Sequence, residues 1–575
     1  MILKALYDYY NRCGNLPARG TEFKEIGYLI VLSKDGTFLR IESRMLNKKQ
    51  ASSFLVLQAV NRVGLSYKAN YLWDKFEYIL GEANSDNVTE SGNKKLQKFI
   101  LLVRNLLNRQ PSNKNLRAIG CFYSKYASPC LTVSSDPLWE DLKSSGKNIS
   151  FLIEGETIIA AEDKEIWDLA LQPQQSREEN NCLILGIKGP IARLHTTIKL
   201  TKDTGPIVSF QKKSGYDSYG KQQGYNAPIC EEAEFAYTTA LNTMLRRDSR
   251  NKFTVGNRTF VFWASSNDKA AEQAEESLFD LLGYSEEKKD NPNAKIEQVR
   301  KVFTAIYSGS LNTSVEDRFY ILGLAPNSAR IAVVYWSETP LRDFAGKILR
   351  HFDDMEIIVE KSKGQKPYMG IEDMLSAVTR HGNDGKWRNN IIPNLSEAIV
   401  KSIFQGEPYP FTLFSACVRR IRAESSNKGY SPIAIEKAAI LKAYLNRIMG
   451  NNEKIKVMLD QSNNNSGYLC GRLFAVLENL QYAANKQDSI RSGYMNAASS
   501  TPSIVFPTIL KLSNSHYSKL AKDKKGLAIF FDNQKKEIMD MIQRFPDTLN
   551  LNDQGRFFLG YYHQKNYQEN NKTEE

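Results

Sequence analysis

The stretch from Lys212 to Pro228, KKSGYDSYGKQQGYNAP, concentrates the side chains best suited to chemistry in this chain. Lysines neutralise phosphates, amides read base edges, tyrosine rings stack on bases, and glycines let a backbone approach closely. The candidates for contact with DNA bases or phosphates here are Lys212, Lys213, Tyr219, Gln222, Gln223 and Asn226, with Tyr225 as a second ring that stacks or wedges. A second polar loop, SYKANYLWDK at Ser66–Lys75, offers Lys68, Asn70 and Lys75. Lys199, Arg246, Arg247, Arg250 and Arg258 (with Lys252 among them) are spaced to follow a phosphate backbone. Each group also has a plain structural reading. Asn226-Ala227-Pro228 closes a tight loop before a helix, and cations favour a helix C-terminus whether or not a ligand is near.

Catalytic patterns are absent from the sequence. The five histidines, His195, His351, His381, His516 and His563, form no HxxxH or HExxH pair. His351 with Asp353 and Asp354 is the sole acidic-histidine cluster, and its place near the end of an amphipathic helix favours a structural role. His195 is expected to end an apolar strand. No GxxxxGK[ST] loop and no GxSxG elbow occur. The seven cysteines are scattered without a CxxC pair, and an odd number suits a reducing cytoplasm. The expectation is a protein that is not an enzyme and needs no metal or other cofactor.

These residues must be held by a sizeable scaffold. A chain of 575 residues buries a large core and divides into two or three domains. Hydrophobic content of 42% with 25% charged residues fits a globular protein. No apolar run reaches the roughly 18–20 residues of a membrane span, and no signal peptide opens the chain, so no membrane partner is expected. The net charge of +13 suits a polyanionic partner without naming it. The local excess is smaller, ten Lys/Arg against six Asp/Glu between His195 and Arg258.

Ile26–Glu42 reads as a hairpin turning at Asp35-Gly36. Leu96–Leu107 has helical spacing, and Ile229–Arg247 reads as a helix with Glu231, Glu232 and Glu234 in its first turns. Arg258–Ser265 and Phe319–Ser337 are strand-rich, the latter turning at Pro326-Asn327-Ser328. From Pro340 the period becomes helical at Leu341–Phe352, Leu395–Phe404, Phe411–Ala423, Ile433–Met449 and Tyr468–Ala484. Lys361–Pro367 and His381–Arg388 read as linkers, and the tail from Gln564 as disordered. The fold class is α+β: a mixed α/β N-terminal body with β-hairpins (1–339), a helical region (340–457) and a C-terminal helical bundle (458–575).

The order of motifs resembles the large subunit of the type I-C CRISPR surveillance complex, Cascade. The resemblance rests on Ala192–His195 with Ile198–Lys199 and Val208–Phe210 as strands, the loop Ser218–Pro228, the helix Ala236–Asn242 and the strand Phe262–Ala264. It extends to MILKALYDYYNR at the N-terminus, Leu72–Gly81, Phe319–Trp336 and Gly467–Ala484. Lys75 stands where the family usually has Asn.

The resemblance implies a subunit that recognises the PAM in duplex DNA, aids strand opening and R-loop formation, and supports recruitment of a helicase-nuclease. Base pairing by crRNA supplies sequence specificity, a division of labour also seen in Cas9-type effectors. The implied partners are crRNA, the crRNA-containing Cascade backbone subunits, target double-stranded DNA and a small subunit from the same gene. That small subunit would start at Met458, with Met449 as the rival start. A metal-dependent nuclease with a dispersed acidic site and a general basic RNA-binding protein remain as alternatives.

Overall fold

The computed structural model describes residues 2–570 except 61, 63–66, 82–89, 172–177, 201–202, 212–217, 247, 256–257, 283–291, 329, 359–368, 383–384, 426–432, 449–453 and 488. The fold is α+β, and the chain forms two compact units. The first comprises residues 3–196 and 208–243, the second 197–207 and 244–575. The expected boundaries at 339/340 and 457/458 both fall inside the second unit.

The first unit is built on a five-stranded sheet. Its long strand, Thr21–Leu32, pairs antiparallel with Phe38–Ser43 and Ser53–Leu57 and parallel with Asn148–Ile153. Ile26 and the run Leu29–Leu32 are fully buried, because both faces of this central strand are covered and alternation gives way to a continuous apolar run. One face meets Phe99, Val103, Ile119 and Phe122 from the helices Glu90–Arg109 and Lys114–Lys125. Asn113 caps the second of these, its side chain accepting from Leu116 N at 3.0 Å. The Asp35-Gly36 hairpin forms as its sequence implies. Gly36 adopts φ +81°, and a Cβ there would lie 2.6 Å from the Ala118 carbonyl oxygen, so only glycine fits.

The second unit opens on a four-stranded antiparallel sheet in sequence order, Lys252–Val255, Arg258–Ala264, Arg318–Asn327 and Arg330–Pro340. Phe260, Phe262 and Phe319 point into a core shared with the helices that follow, and Phe319 stacks on Phe344 at 4.2 Å. That shared core is why sheet and bundle form one unit. Deep in the bundle, Ser466–Asn485 is buried around most of its circumference and crosses Leu551–Asn570 at backbone contact. A Cβ on Gly471 would meet the Phe557 carbonyl oxygen at 1.9 Å, and one on Gly560 the Tyr468 oxygen at 2.1 Å.

Three expectations are corrected. The tail from Gln564 is helical as far as Asn570, the last described residue, and Gln564, 2% exposed, accepts from the buried Arg472 Nε at 3.0 Å. Polarity suggested disorder, but the buried cation Arg472 requires a polar partner. Ala192–His195 and Val208–Phe210 are irregular segments; of the expected strands there only Ile198–Lys199 forms, within Ile198–Leu200, which pairs with Asp203–Gly205. Val208 packs on a small local core, Leu194 is exposed, and the backbone of residues 192–193 bonds the neighbouring loop. The linker Lys361–Pro367 and Met449 lie outside the described residues. Met458 lies between the Ile435–Ile448 and Ser466–Asn485 helices and is 57% exposed. Among the described residues no helix is long and apolar enough to cross a membrane.

Candidate nucleic-acid interface

The Ser218–Pro228 loop belongs to the first unit and is shaped by its backbone. Tyr219 and Gln223 adopt φ +54° and +49°, a left-handed conformation that is uncommon outside glycine. At Gln223 it persists because neighbouring groups over-determine it. Gly224 N donates to the Arg193 carbonyl at 2.9 Å, Tyr225 N to Gln222 O at 3.0 Å and Ala227 N to Gly224 O at 3.0 Å. A Cβ at Gly224 would stand 2.4 Å from the Ala192 oxygen, so the loop backbone lies directly on the 192–193 segment.

Side chains complete the clamp. Asn226 Nδ2 donates to the carbonyls of Lys221 and Gln223 at 3.1 and 3.0 Å. Arg193 donates to Gln223 Oε1 at 2.5 Å. Tyr225 packs on the small core of Cys182, Ile191, Ile229, Cys230 and Ala233. The residues left facing solvent are Tyr219, fully exposed at 100%, with Lys221 and Gln222. Of the predicted amides, Gln222 is therefore free to reach a ligand, whereas Gln223 and Asn226 hold the loop in shape. Lys212 and Lys213 lie outside the described residues.

The loop's C-terminal end is held by a hairpin and leads into a well-anchored helix. A short hairpin, Glu179–Asn181 with Lys188–Pro190, is tied to it by Leu183 N donating to Pro228 O and Ala192 N to Ile229 O, both at 2.9 Å. On the far side stands the helix Glu231–Met244, whose first-turn acids each find a partner. Glu231 pairs with Arg19 at 2.8 Å, Glu232 accepts from the Tyr7 hydroxyl at 2.8 Å, and Glu234 accepts from Thr196 N at 2.6 Å. His195 Nδ1 and the Tyr237 hydroxyl share a hydrogen bond of 2.5 Å, and burial lowers the His195 pKa to about 4.

The second predicted loop is built differently. Asn70 is buried at 3% exposure, and its Oδ1 accepts from Val60 N at 2.9 Å. Asp74, also buried, binds the Arg62 guanidinium and accepts from Asn70 N at 2.9 Å and Lys75 N at 2.8 Å. Lys75 Nζ donates to the Gly146 carbonyl at 2.5 Å, and partial burial lowers its pKa. Lys68 and Lys75 are both exposed, and the Lys68 carbonyl accepts from Arg62 Nε at 2.7 Å. In this conformation the loop's amide and one of its two cations are part of the scaffold.

The predicted phosphate-tracking cations lie in the second unit. Lys199 is exposed on the strand Ile198–Leu200. Arg246 pairs with Asp248 at 3.2 Å, and Arg250 lies 3.7 Å from Asp280 and over the Phe279 ring. Lys252 Nζ caps the preceding helix through the Leu245 carbonyl at 2.6 Å. Arg258 is largely buried between Asn394 at 2.7 Å and Glu397 at 3.7 Å, a packing role. Arg247 is outside the described residues. His351, the acidic-histidine candidate, is buried against the Tyr409 hydroxyl at 2.7 Å and the Met369 carbonyl at 3.1 Å, and burial lowers its pKa to about 3. Among the described residues no three His, Cys, Asp or Glu side chains converge to hold a metal ion.

Sequence reasoning did not single out Arg193 or Gly224, the two residues that most directly shape the loop. Arg193 carried no signal, because its partner is thirty positions away. Gly224, inside a polar run, did carry one: glycine marks close backbone approach.

A family model described as CRISPR-associated protein (Cas_Csd1) matches residues 6–568. The chain belongs to this CRISPR-associated family. No curated protein matches it.

Proposed function

We propose that this chain is the large, non-catalytic subunit of a type I-C Cascade and that the Ser218–Pro228 loop reads the PAM in duplex DNA. The observation that carries the reading is a backbone-clamped loop presenting a fully exposed Tyr219 beside an exposed Gln222. A rigid platform lowers the ordering cost of binding. An aromatic ring stacks on an unpaired base, and a glutamine amide pairs bidentately with adenine. Membership in a CRISPR-associated family supplies the context. On this reading the chain works in the cytoplasm with crRNA, the backbone subunits and target duplex, aids R-loop formation, and supports recruitment of a separate helicase-nuclease. Met458 is the internal start of a small subunit made from the same gene.

The test is target-duplex binding by the complex reconstituted with crRNA and partner subunits, with intact and scrambled PAM. Binding should depend on both this chain and the PAM, and Gln222→Ala should reduce the preference for intact PAM by roughly tenfold. If the chain joins the complex without adding PAM dependence, the recognition role is wrong. Divalent-metal-dependent cleavage of DNA by the isolated chain would replace it with the nuclease reading.

A further inference from the structure

We propose that Cys182 and Cys230 form a redox-active dithiol, a modification site that takes a peroxide-class oxidant and closes to a disulfide. The two residues lie 48 positions apart, and the fold brings them into contact: Cys230 N donates to Cys182 Sγ at 3.2 Å. Cys182 opens the turn of the Glu179–Pro190 hairpin, where Gly186 N donates to its carbonyl at 2.8 Å. Cys230 immediately precedes the helix Glu231–Met244. Both thiols sit in the small core that Tyr225 covers.

Both side chains belong to one small buried core, and the Cys182 sulfur rests against the backbone amide of Cys230 itself. Closing a disulfide requires the two sulfurs to come to about 2.05 Å. The flanking elements are a short hairpin turn and a helix entry, which adjust more easily than a packed helix pair.

The environment divides the chemistry between the two sulfurs. Burial pushes the Cys182 thiol up, but donors from the Cys230 and Leu185 amides, the Cys230 thiol and the Ile184 amide outweigh it, and its pKa falls. Burial pushes Cys230 up to about 11. The other buried cysteines lack such a ring of donors: burial raises Cys130 to about 11 and Cys417 and Cys470 to about 12. A thiolate, not a thiol, is the nucleophile, so Cys182 is the attacking sulfur.

The steps balance. The Cys182 thiolate attacks one oxygen of hydrogen peroxide, the O–O bond breaks, and the departing hydroxide leaves as water after taking a proton. Cys182 is then a sulfenic acid. Cys230 gives up its proton and attacks the Cys182 sulfur, the S–O bond breaks, and the hydroxyl leaves as a second water. Two thiols have lost two electrons to one peroxide. The bond joins the hairpin turn to the helix entry on either side of the Ser218–Pro228 loop, and a thiol reductant reverses it.

The test uses the reduced full-length chain, treated with graded hydrogen peroxide, denatured in N-ethylmaleimide and mapped by mass spectrometry without reductant. The expected result is a linked peptide pair containing Cys182 and Cys230, lost on dithiothreitol, at doses that leave Cys417 and Cys470 fully alkylated. In Cys230→Ser, Cys182 should stop at a sulfenic acid that dimedone traps; Cys182→Ser should give neither product. The wild-type map decides the matter even if a variant fails to fold. The proposal is overturned if both thiols remain alkylatable at doses that oxidise the exposed Cys121, or if the pair links only after unfolding in urea.

Discussion

The two polar loops of the first unit have similar compositions and opposite uses. In 67–75 the amide and the acid turn inward: Asn70 and Asp74 are buried, while the exposed Lys75 is tied to the Gly146 carbonyl. In 218–228 the backbone turns inward, seated on residues 192–193, and leaves Tyr219 and Gln222 in solvent. The difference lies in which groups satisfy the buried donors. A buried backbone amide needs a partner. In the first loop side-chain oxygens supply it, at Val60 N, Asn70 N and Lys75 N. In the second, main-chain carbonyls of Arg193, Gln222 and Gly224 supply it, so exposed side chains stay available for a ligand.

The largest effect expected from this contrast is at Asp74. Asp74→Ala removes the partner of Arg62 and two backbone amides and should cost about 3–5 kcal/mol of stability, measured by urea unfolding. A neutral result would mean that the loop at 67–75 is not structural. Next comes pH. Burial lowers the His195 pKa from 6.5 to about 4, so the unfolded chain binds that proton first. The stability it contributes is complete above pH 6.5 and is lost as pH falls to about 4, up to about 3 kcal/mol. Asp74 acts in the opposite sense, because burial raises its pKa and protonation then favours the folded state. His195→Gln should flatten the acid decline in the urea midpoint; an unchanged decline would place the titration elsewhere. The smallest effect on stability is at Tyr219. Tyr219→Ala should leave the melting temperature unchanged while weakening target-duplex binding roughly tenfold in the reconstituted complex. A lowered melting temperature with unchanged binding would reverse the assignment of the two loops.

Much of the scaffold was legible locally. Asp35-Gly36 announced its turn, the second hairpin turns just after Pro326 and Asn327, which still pair with Ile331 and Arg330, and 3.6-residue periods located the helices Leu341–Met355 and Leu395–Phe404 to within a few residues. Composition also placed the Ser218–Pro228 loop as the candidate site. It failed where a polar residue serves a distant partner. Gln564 looked like part of a tail because nothing nearby shows that Arg472, 92 positions earlier, needs its oxygen. Asn70 and Gln222 look alike as amides in polar loops, yet only one is exposed.

The sequence by itself determined the α+β class, the turns, most helices and the polar character of the loop, since each depends on residues a few positions apart. Only the tertiary structure decided which polar side chains face solvent, which cations are paired, and that Cys182 meets Cys230. Those outcomes depend on segments far apart in the chain, and burial reverses what a side chain's type suggests: the same amide or thiol binds a neighbour or a ligand according to what packs against it.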